Sequence, residues 1–261
     1  MRIGLGYLFD GALASTPDKV ATFHGESTMT FRDLDGRANR VGRALGETGR
    51  EPGACVALLF ENDYRFIECY FGALRAGAVA VSINHRLSDE AVAYILNQSD
   101  VSILMCTSGQ ARRAAHIAGE APQVHHVIAL DTSGPGVTTY DAWVRDVSSD
   151  ALDNVISSDD IAIHAYTAGS TGNPKACLLT HQGQIWNVDA AVASLGFTAS
   201  DRAVVATPLG HKNATMSIKR VLRVGGSVVL LPVFDPEAYL EAIARHRVTC
   251  TTGVPAIYQR L

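Results

Sequence analysis

A glycine- and hydroxyl-rich segment in the middle of the chain has the composition of a phosphate-binding loop. It reads Tyr-Thr-Ala-Gly-Ser-Thr-Gly-Asn-Pro-Lys over residues 166–175. Glycines let the backbone bend until several N–H groups point at one spot. The hydroxyl groups add donors, and Lys175 adds a positive charge on a flexible stem. The segment therefore suits a cradle for a polyphosphate, and a surface loop without a ligand is the plainer alternative.

Two better-known nucleotide-binding loops do not fit this segment. A Walker A loop has the form G-x-x-x-x-G-K-[ST]. Counted from Gly169, its second glycine falls on Pro174, and Ala176 follows the lysine. The dinucleotide fingerprint G-x-G-x-x-G is also absent, because Phe9 stands where the third glycine of an N-terminal candidate belongs. If residues 166–175 bind phosphate, they must belong to another class of phosphate-binding loop.

The surrounding sequence predicts the elements that hold this loop. Apolar runs enter it at 161–165 and leave it at 176–179, which predicts a strand on each side. Elsewhere, continuous apolar runs such as 54–60 alternate with amphipathic segments such as 62–77. Strands buried on both faces and separated by helices are typical of a mostly parallel sheet covered by helices.

Polar residues mark where the predicted helices begin. Thr30 is followed three residues later by Asp33, the spacing of a capping box. Further N-caps are predicted at Asn62, Ser88 and Asp235. The strand–helix alternation breaks at 131–158, which is interpreted mostly as a loop region around one short element near Trp143.

Composition and charge argue against several classes of function for this chain. The chain has 261 residues, 47% hydrophobic and 18% charged, as in a folded domain of ordinary composition. A net charge of −4 and scattered basic residues give no case for nucleic acid, and no apolar run reaches membrane-spanning length. Five cysteines without C-x-x-C spacing indicate free thiols in a reducing cytoplasm. The histidines show no metal-ligand spacing, so no resident metal is predicted.

The central loop resembles the phosphate-binding signature [ST]-[SG]-G-[ST]-T-G-x-P-K-G of the adenylate-forming (AMP-binding) superfamily. That superfamily includes acyl- and aryl-CoA synthetases, luciferases and nonribosomal peptide adenylation domains. Ala168 and Ala176 depart from the signature, while Thr171, the glycines of the turn and the lysine are kept. The similarity runs along nearly the whole chain, through segments at 17–21, 30–34, 84–88, 207–211, 225–226, 234–236 and 249–255.

The resemblance implies an α/β fold of two αβ lobes, with mostly parallel sheets flanked by helices in an αβαβα arrangement. Residues 53–195 would be the first lobe and would contain the phosphate loop. Residues 1–52 and 196–261 would be a second, incomplete lobe. Residues 1–261 would then be the N-terminal portion of an adenylation domain without its C-terminal lid domain. An incomplete sheet exposes strand edges and apolar surface, so we expect self-association.

The implied parent protein is an AMP-forming carboxylic acid–CoA ligase. Such an enzyme joins a carboxylate to the α-phosphate of ATP, releases pyrophosphate and passes the acyl group to a thiol, here that of coenzyme A. Mg²⁺ is expected to arrive with ATP. Catalytic roles fall to Lys175 and His211, and His181 is expected to support the loop by a hydrogen bond. The resemblance assigns nucleotide binding to Thr167, Ala168, Gly169, Ser170, Thr171, Gly172 and Lys175.

Two alternatives remain open at this point. One is a non-catalytic nucleotide-binding or interaction module, and the other is a luciferase-like or carrier-protein-loading relative. The sequence also does not identify the carboxylic acid substrate, so fatty, aromatic and short branched acids all stay possible. Gly210, which stands where the family usually has an aromatic residue, suggests extra room near His211.

We predict little or no adenylation by the 261-residue chain alone. In the family, an aspartate that binds ribose and a catalytic lysine of the lid domain come from segments that this sequence does not contain. The measurement is ATP–pyrophosphate exchange with a panel of carboxylic acids. Robust exchange by the purified chain would show that these segments are dispensable.

Overall fold

The computed structural model describes residues 3–49, 51, 53–167 and 173–261. Within these ranges the strands are β1 (Val20–His24), β2 (Ser27–Thr30), β3 (Cys55–Phe60), β4 (Val79–Asn84), β5 (Val101–Cys106), β6 (His126–Ala129), β7 (Val137–Thr139), β8 (Ile161–Thr167), β9 (Lys175–Thr180), β10 (Arg202–Val205), β11 (Ser227–Leu230) and β12 (Cys250–Thr251). The α-helices are α1 (Asp10–Ser15), α2 (Phe31–Glu47), α3 (Arg65–Arg75), α4 (Asp89–Gln98), α5 (Ala111–Ala118), α6 (Tyr140–Val144), α7 (His181–Leu195), α8 (Lys212–Arg223), α9 (Pro236–His246) and α10 (Pro255–Tyr258).

The strands form two sheets, called here the large sheet and the small sheet. The large sheet has the order β7-β6-β5-β3-β4-β8-β9, and its neighbours are parallel except β8 and β9. The small sheet has the order β12-β10-β11-β1-β2, and only β1 and β2 are antiparallel. Mostly parallel sheets flanked by helices confirm the predicted fold class.

One hydrophobic core lies between the two sheets. Val56 and Leu58 of β3 belong to the same buried cluster as Val205 and Leu230 of the small sheet, together with residues of α2, α3 and α8. A second cluster covers the opposite face of the large sheet under α4 and α5, and a third lies between the small sheet and α9. The continuous apolar sequence of β3 follows from this arrangement, because both of its faces are buried.

The N-cap predicted at Asn62 is wrong. Helix α3 begins only at Arg65, whose N–H donates to Asp63 Oδ1 at 2.9 Å and not to Asn62. The Asn62 side chain instead reaches the segments that leave the small sheet. Its Nδ2 donates to the carbonyl oxygens of Thr207 at 3.1 Å and Leu231 at 3.0 Å, and its Oδ1 accepts from the Leu209 N–H at 3.0 Å. Both N–H groups and the oxygen of this one amide therefore bond to backbone that leaves the small sheet, which ties the two sheets together.

The other predicted caps are confirmed. Thr30 Oγ1 accepts from the Asp33 N–H at 3.1 Å, and Asp33 Oδ2 accepts from the Thr30 N–H at 3.0 Å. Ser88 and Asp235 cap α4 and α9 by accepting from the N–H three residues on, without the reciprocal bond. The region 131–158 contains the expected short element as α6, and also the strand β7. Three residues are too few to show a strand period, so β7 left no signal in the sequence.

Replacing Asn62→Ala should destabilise the protein by about 2–4 kcal/mol, because three hydrogen bonds are lost while the Leu209 N–H stays buried and the Thr207 and Leu231 carbonyls stay half-buried. The melting temperature should fall by roughly 5–15 °C on that basis. Thermal unfolding followed by circular dichroism provides the measurement.

The matched control is Asn97→Ala. Asn97 is half-buried and also donates to two carbonyl groups, but both lie on the outer side of the large sheet, at Ala93 and Glu120. We expect its melting temperature to fall by less than half as much. Equal losses in the two variants would contradict a special role for Asn62 between the sheets.

Candidate active site

The predicted phosphate loop lies between two antiparallel strands. In the β8–β9 hairpin, Thr167 pairs with Lys175 and Ala165 pairs with Cys177. The side chains of Thr167 and Lys175 are both exposed at the end of the hairpin, and Lys175 forms no ion pair with any described residue. The Lys175 ammonium is therefore available to an anion. The remaining predicted binding residues lie outside the described residues: Ala168, Gly169, Ser170, Thr171 and Gly172.

His211, the second predicted catalytic residue, is exposed at the start of α8 and contacts the end of β4. Its Nε2 lies 3.3 Å from Nδ2 of Asn84. Asn84 Oδ1 accepts from the Arg86 N–H at 3.1 Å, which leaves the amide NH₂ group facing the histidine. Nε2 must then accept, and the proton of the neutral ring is placed on Nδ1.

Gly210 allows the backbone after β10 to pack directly on the end of β4. A Cβ atom at this position would lie 2.5 Å from the Asn84 nitrogen and 2.6 Å from its Cα. Real Cβ atoms do not approach backbone so closely, so the position has to be glycine here. The expectation that Gly210 leaves extra room near His211 is wrong, because the backbone of β4 fills that space.

The same region brings His211 beside the hairpin. A cavity of about 40 Å³ is lined by His211 and other residues of α8 on one side, and by Ala165 and Leu179 of the hairpin on the other. Ala165 precedes Thr167 by two residues, which is about 7 Å along a strand. His211 thus faces the strands whose far end presents Lys175.

His181 is buried at the start of α7, but its hydrogen bond does not go where we expected. Nδ1 accepts from the Leu5 N–H at 3.0 Å, so the imidazole fixes the N-terminal segment rather than the phosphate loop. Burial lowers the pKa of His181, and the nearby Asp160 carboxylate opposes this effect in part. The hydrogen bond requires an unprotonated Nδ1, so the neutral form and the contact stabilise each other.

Sequence reasoning missed the roles of Asn62 and Asn84. Each lies where a buried strand of the large sheet ends, Asn62 two residues after β3 and Asn84 as the last residue of β4. Polar side chains at the carboxyl ends of adjacent parallel strands meet at one edge of a sheet, which is where α/β proteins bind ligands. The position of each asparagine at the end of a buried strand was the sequence signal that could have identified its role.

The described residues lack two features. None of their helices combines the length and apolar character of a membrane span. Across the same ranges, no group of three or more His, Cys, Asp and Glu side chains is arranged to hold a metal ion.

The two-sheet α/β fold, with an antiparallel hairpin that ends at Lys175, is shared with solved structures of the adenylate-forming class. The sequence profile of the AMP-binding enzyme family matches residues 9–261. This chain belongs to that family, and its relatives include acyl- and aryl-CoA ligases.

Three similar proteins illustrate the relationship. The chain is 33% identical over 247 residues to a feruloyl-CoA synthase of Amycolatopsis sp, covering 94% of this chain and 48% of the relative. It superimposes on the anthranilate CoA ligase AuaEII in complex with anthranoyl-AMP with a TM-score of 0.92 and 27% identity, over 98% of this chain and 50% of that one. ATP-bound MatB from Rhodopseudomonas palustris gives a TM-score of 0.85 and 26% identity over the same shares. The chain spans about half the length of the curated relatives it matches.

The buried His181 predicts a loss of stability in acid. Its folded pKa lies below the unfolded value, so the unfolded chain binds the proton more readily and stability falls as the pH drops through the unfolded pKa, near 6.5. The variant His181→Asn keeps an acceptor for Leu5 without titrating. Relative to this variant, the wild type should lose about 1 kcal/mol between pH 7 and pH 5, the worth of one buried hydrogen bond.

Urea unfolding at both pH values measures this difference. The control is His125→Asn, at an exposed histidine, which should follow the wild type at both pH values. A wild type that keeps its margin over His181→Asn at pH 5 would rule out the neutral, buried imidazole.

Proposed function

We propose that this chain forms the nucleotide-binding part of an AMP-forming carboxylic acid–CoA ligase. The observation that supports it most directly is Lys175, an exposed lysine that lies opposite Thr167 at the end of a hairpin and forms no ion pair with the part of the chain that the structure describes. The hairpin stands in a chain that belongs to the AMP-binding enzyme family. An ATP complex and an acyl-adenylate complex are known for proteins of the same fold.

In this proposal the hairpin loop holds the triphosphate. Thr167, residues 168–172 and Lys175 contact the β- and γ-phosphates, and Mg²⁺ accompanies the nucleotide. A carboxylate is a weak nucleophile that the triphosphate repels, so neutralising the phosphates is the main electrostatic requirement of the reaction. The ammonium of Lys175 meets that requirement without first breaking an ion pair.

His211 aligns the reacting carboxylate in this proposal. Its Nε2 is occupied by Asn84, so the Nδ1–H of the neutral ring is the donor that remains. A donor fixed at this point can hold one carboxylate oxygen while the other attacks the α-phosphate. Such positioning lowers the barrier because the reactants lose their freedom of orientation before the chemical step.

The acyl-adenylate is then transferred to a thiol, for which we propose coenzyme A. Feruloyl-CoA synthase and anthranilate CoA ligase, by their names, make CoA products, which favours this acceptor over a carrier protein. We also propose a cytoplasmic location, since Cys55, Cys69, Cys106, Cys177 and Cys250 are all free thiols. Self-association through β12 remains part of the proposal, because this edge strand pairs on only one side in the described residues.

Replacing Lys175→Ala should weaken binding of MgATP to the chain by about 10- to 100-fold. The range follows from the loss of one charge-assisted hydrogen bond of about 1.5–3 kcal/mol. Isothermal titration calorimetry of the purified chain gives the measurement. Lys175→Arg should bind more tightly than Lys175→Ala because it keeps the charge.

The control is Arg40→Ala, which removes an exposed positive charge from α2. It should bind MgATP as the wild type does. Unchanged MgATP affinity in Lys175→Ala, or an equal loss in Arg40→Ala, would overturn the assignment of the hairpin to the phosphates.

A further inference from the structure

A buried lysine without a counter-charge lies on α8. Lys219 is 1% exposed, and its Nζ donates to Gln184 Oε1 at 2.7 Å. No carboxylate of the described residues forms an ion pair with it. Burial lowers the pKa of Lys219 to about 7, and the positive charges of Lys212 and Arg220 add to this effect. The neutral amine, which is the nucleophilic form of lysine, is therefore well populated near neutral pH.

Two buried hydroxyl groups border the same cavity as this amine. The cavity of about 40 Å³ is lined by Lys219, by Tyr70 of α3 and by Ser82 of β4. Tyr70 OH and Ser82 Oγ have no hydrogen-bond partner in the part of the chain that the structure describes. Burial raises the pKa of Tyr70, so its phenol stays protonated and its O–H is available as a donor. Buried polar atoms almost always have a partner, so two such groups at one cavity indicate a polar group between them.

The charges around the cavity favour an anion over a cation. Lys212 belongs to the cavity lining, whereas no Asp or Glu of the described residues does. Arg220 follows Lys219 on α8, and its Nε is buried without a hydrogen-bond partner within the described ranges. An ammonium group at Lys219 is repelled by these two positive charges, but a negative charge at the same place is attracted by them.

We propose that Lys219 is a site of reversible carbamate formation with carbon dioxide. The neutral Nζ attacks the carbon of carbon dioxide, an N–C bond forms as one C=O π bond opens, and the nitrogen releases one proton to solvent. The product carries one negative charge on two oxygens and keeps one N–H. That N–H donates to Gln184, and the two oxygens accept from the Tyr70 and Ser82 hydroxyls. The inference does not depend on the proposed function.

Carbon dioxide matches the cavity in size and in chemistry. It adds three non-hydrogen atoms to Nζ, and a volume of about 40 Å³ holds roughly two or three water-sized groups. It is uncharged when it enters, so no ion has to be desolvated before the N–C bond forms. Ordered water is the plainer occupant. Water would complete the hydrogen bonding of the two hydroxyls, but it would leave the positive charges of Lys212 and Arg220 without an anion.

The test is ¹³C NMR of the 261-residue chain, labelled with ¹⁵N-lysine and equilibrated with ¹³C-labelled bicarbonate and carbon dioxide. The wild type should show a carbamate carbon that is split by a one-bond coupling to ¹⁵N. Only a covalent bond to a lysine gives this coupling, because the N-terminal amine of Met1 carries no label. Lys219→Met should lose the coupled signal completely. Tyr70→Phe should reduce it severalfold, because one donor to the carbamate is removed.

The matched control is Lys19→Met. Burial also lowers the pKa of Lys19, but its Nζ donates to the carbonyl oxygens of Ala199 and Gly225, which would repel the oxygens of a carbamate. This variant should therefore keep the coupled signal. A wild type without a coupled signal would overturn the inference. A signal that survives in Lys219→Met, or that disappears in Lys19→Met, would overturn it as well.

A melting experiment on the same chains separates the covalent product from a bound ion. Carbon dioxide that reacts only with the folded chain stabilises it, so the wild type should melt higher in bicarbonate than in chloride at equal pH and ionic strength. Lys219→Met should show no such rise. Formate is a carboxylate that forms no carbamate, so an equal rise in formate would overturn the covalent site in favour of a bound anion. Neither a rise nor a coupled signal would leave water as the occupant.

Discussion

The contact between the carboxyl end of the large sheet and the segments that leave the small sheet positions the candidate site. Both N–H groups and the oxygen of the Asn62 amide bond to the backbone that follows β10 and β11. Gly210 then packs on Asn84 with no space for a side chain. These two constraints act on consecutive parts of the segment that follows β10, so His211 is held at the end of β4.

Solvation gives two lysines of this region different chemistry. Lys175 is exposed at the end of the hairpin, where a full positive charge costs little and can meet phosphate. Lys219 is buried beside a neutral amide, and its pKa is lowered to about 7. The first suits a charged ligand and the second suits a reaction of the neutral amine. Helix α8 and the hairpin therefore place a buried amine and an exposed ammonium on neighbouring elements.

Much of the fold and part of the site could be predicted because they depend on local sequence. The apolar run of β3 indicated a strand buried on both faces, and the Thr30–Asp33 pair indicated the start of α2. The order of glycines, hydroxyls and lysine indicated the kind of loop, and the family match over residues 9–261 confirmed the superfamily. These signals survive in a single sequence because strand burial, capping and turn formation each involve residues a few positions apart.

The tertiary structure decided what the same residue types do at long range. Asn62 has the form of an N-cap in the sequence, yet it bonds to residues about 150 positions away because the two sheets face each other. Gly210 suggested open space, but the backbone of β4 occupies it. In the sequence, Lys219 looks like an ordinary basic residue in the second half of a helix. In the structure, α3, α7 and α8 enclose its side chain. Local pattern fixes which elements form, whereas partners, free volume and desolvation depend on which distant surfaces those elements bring together.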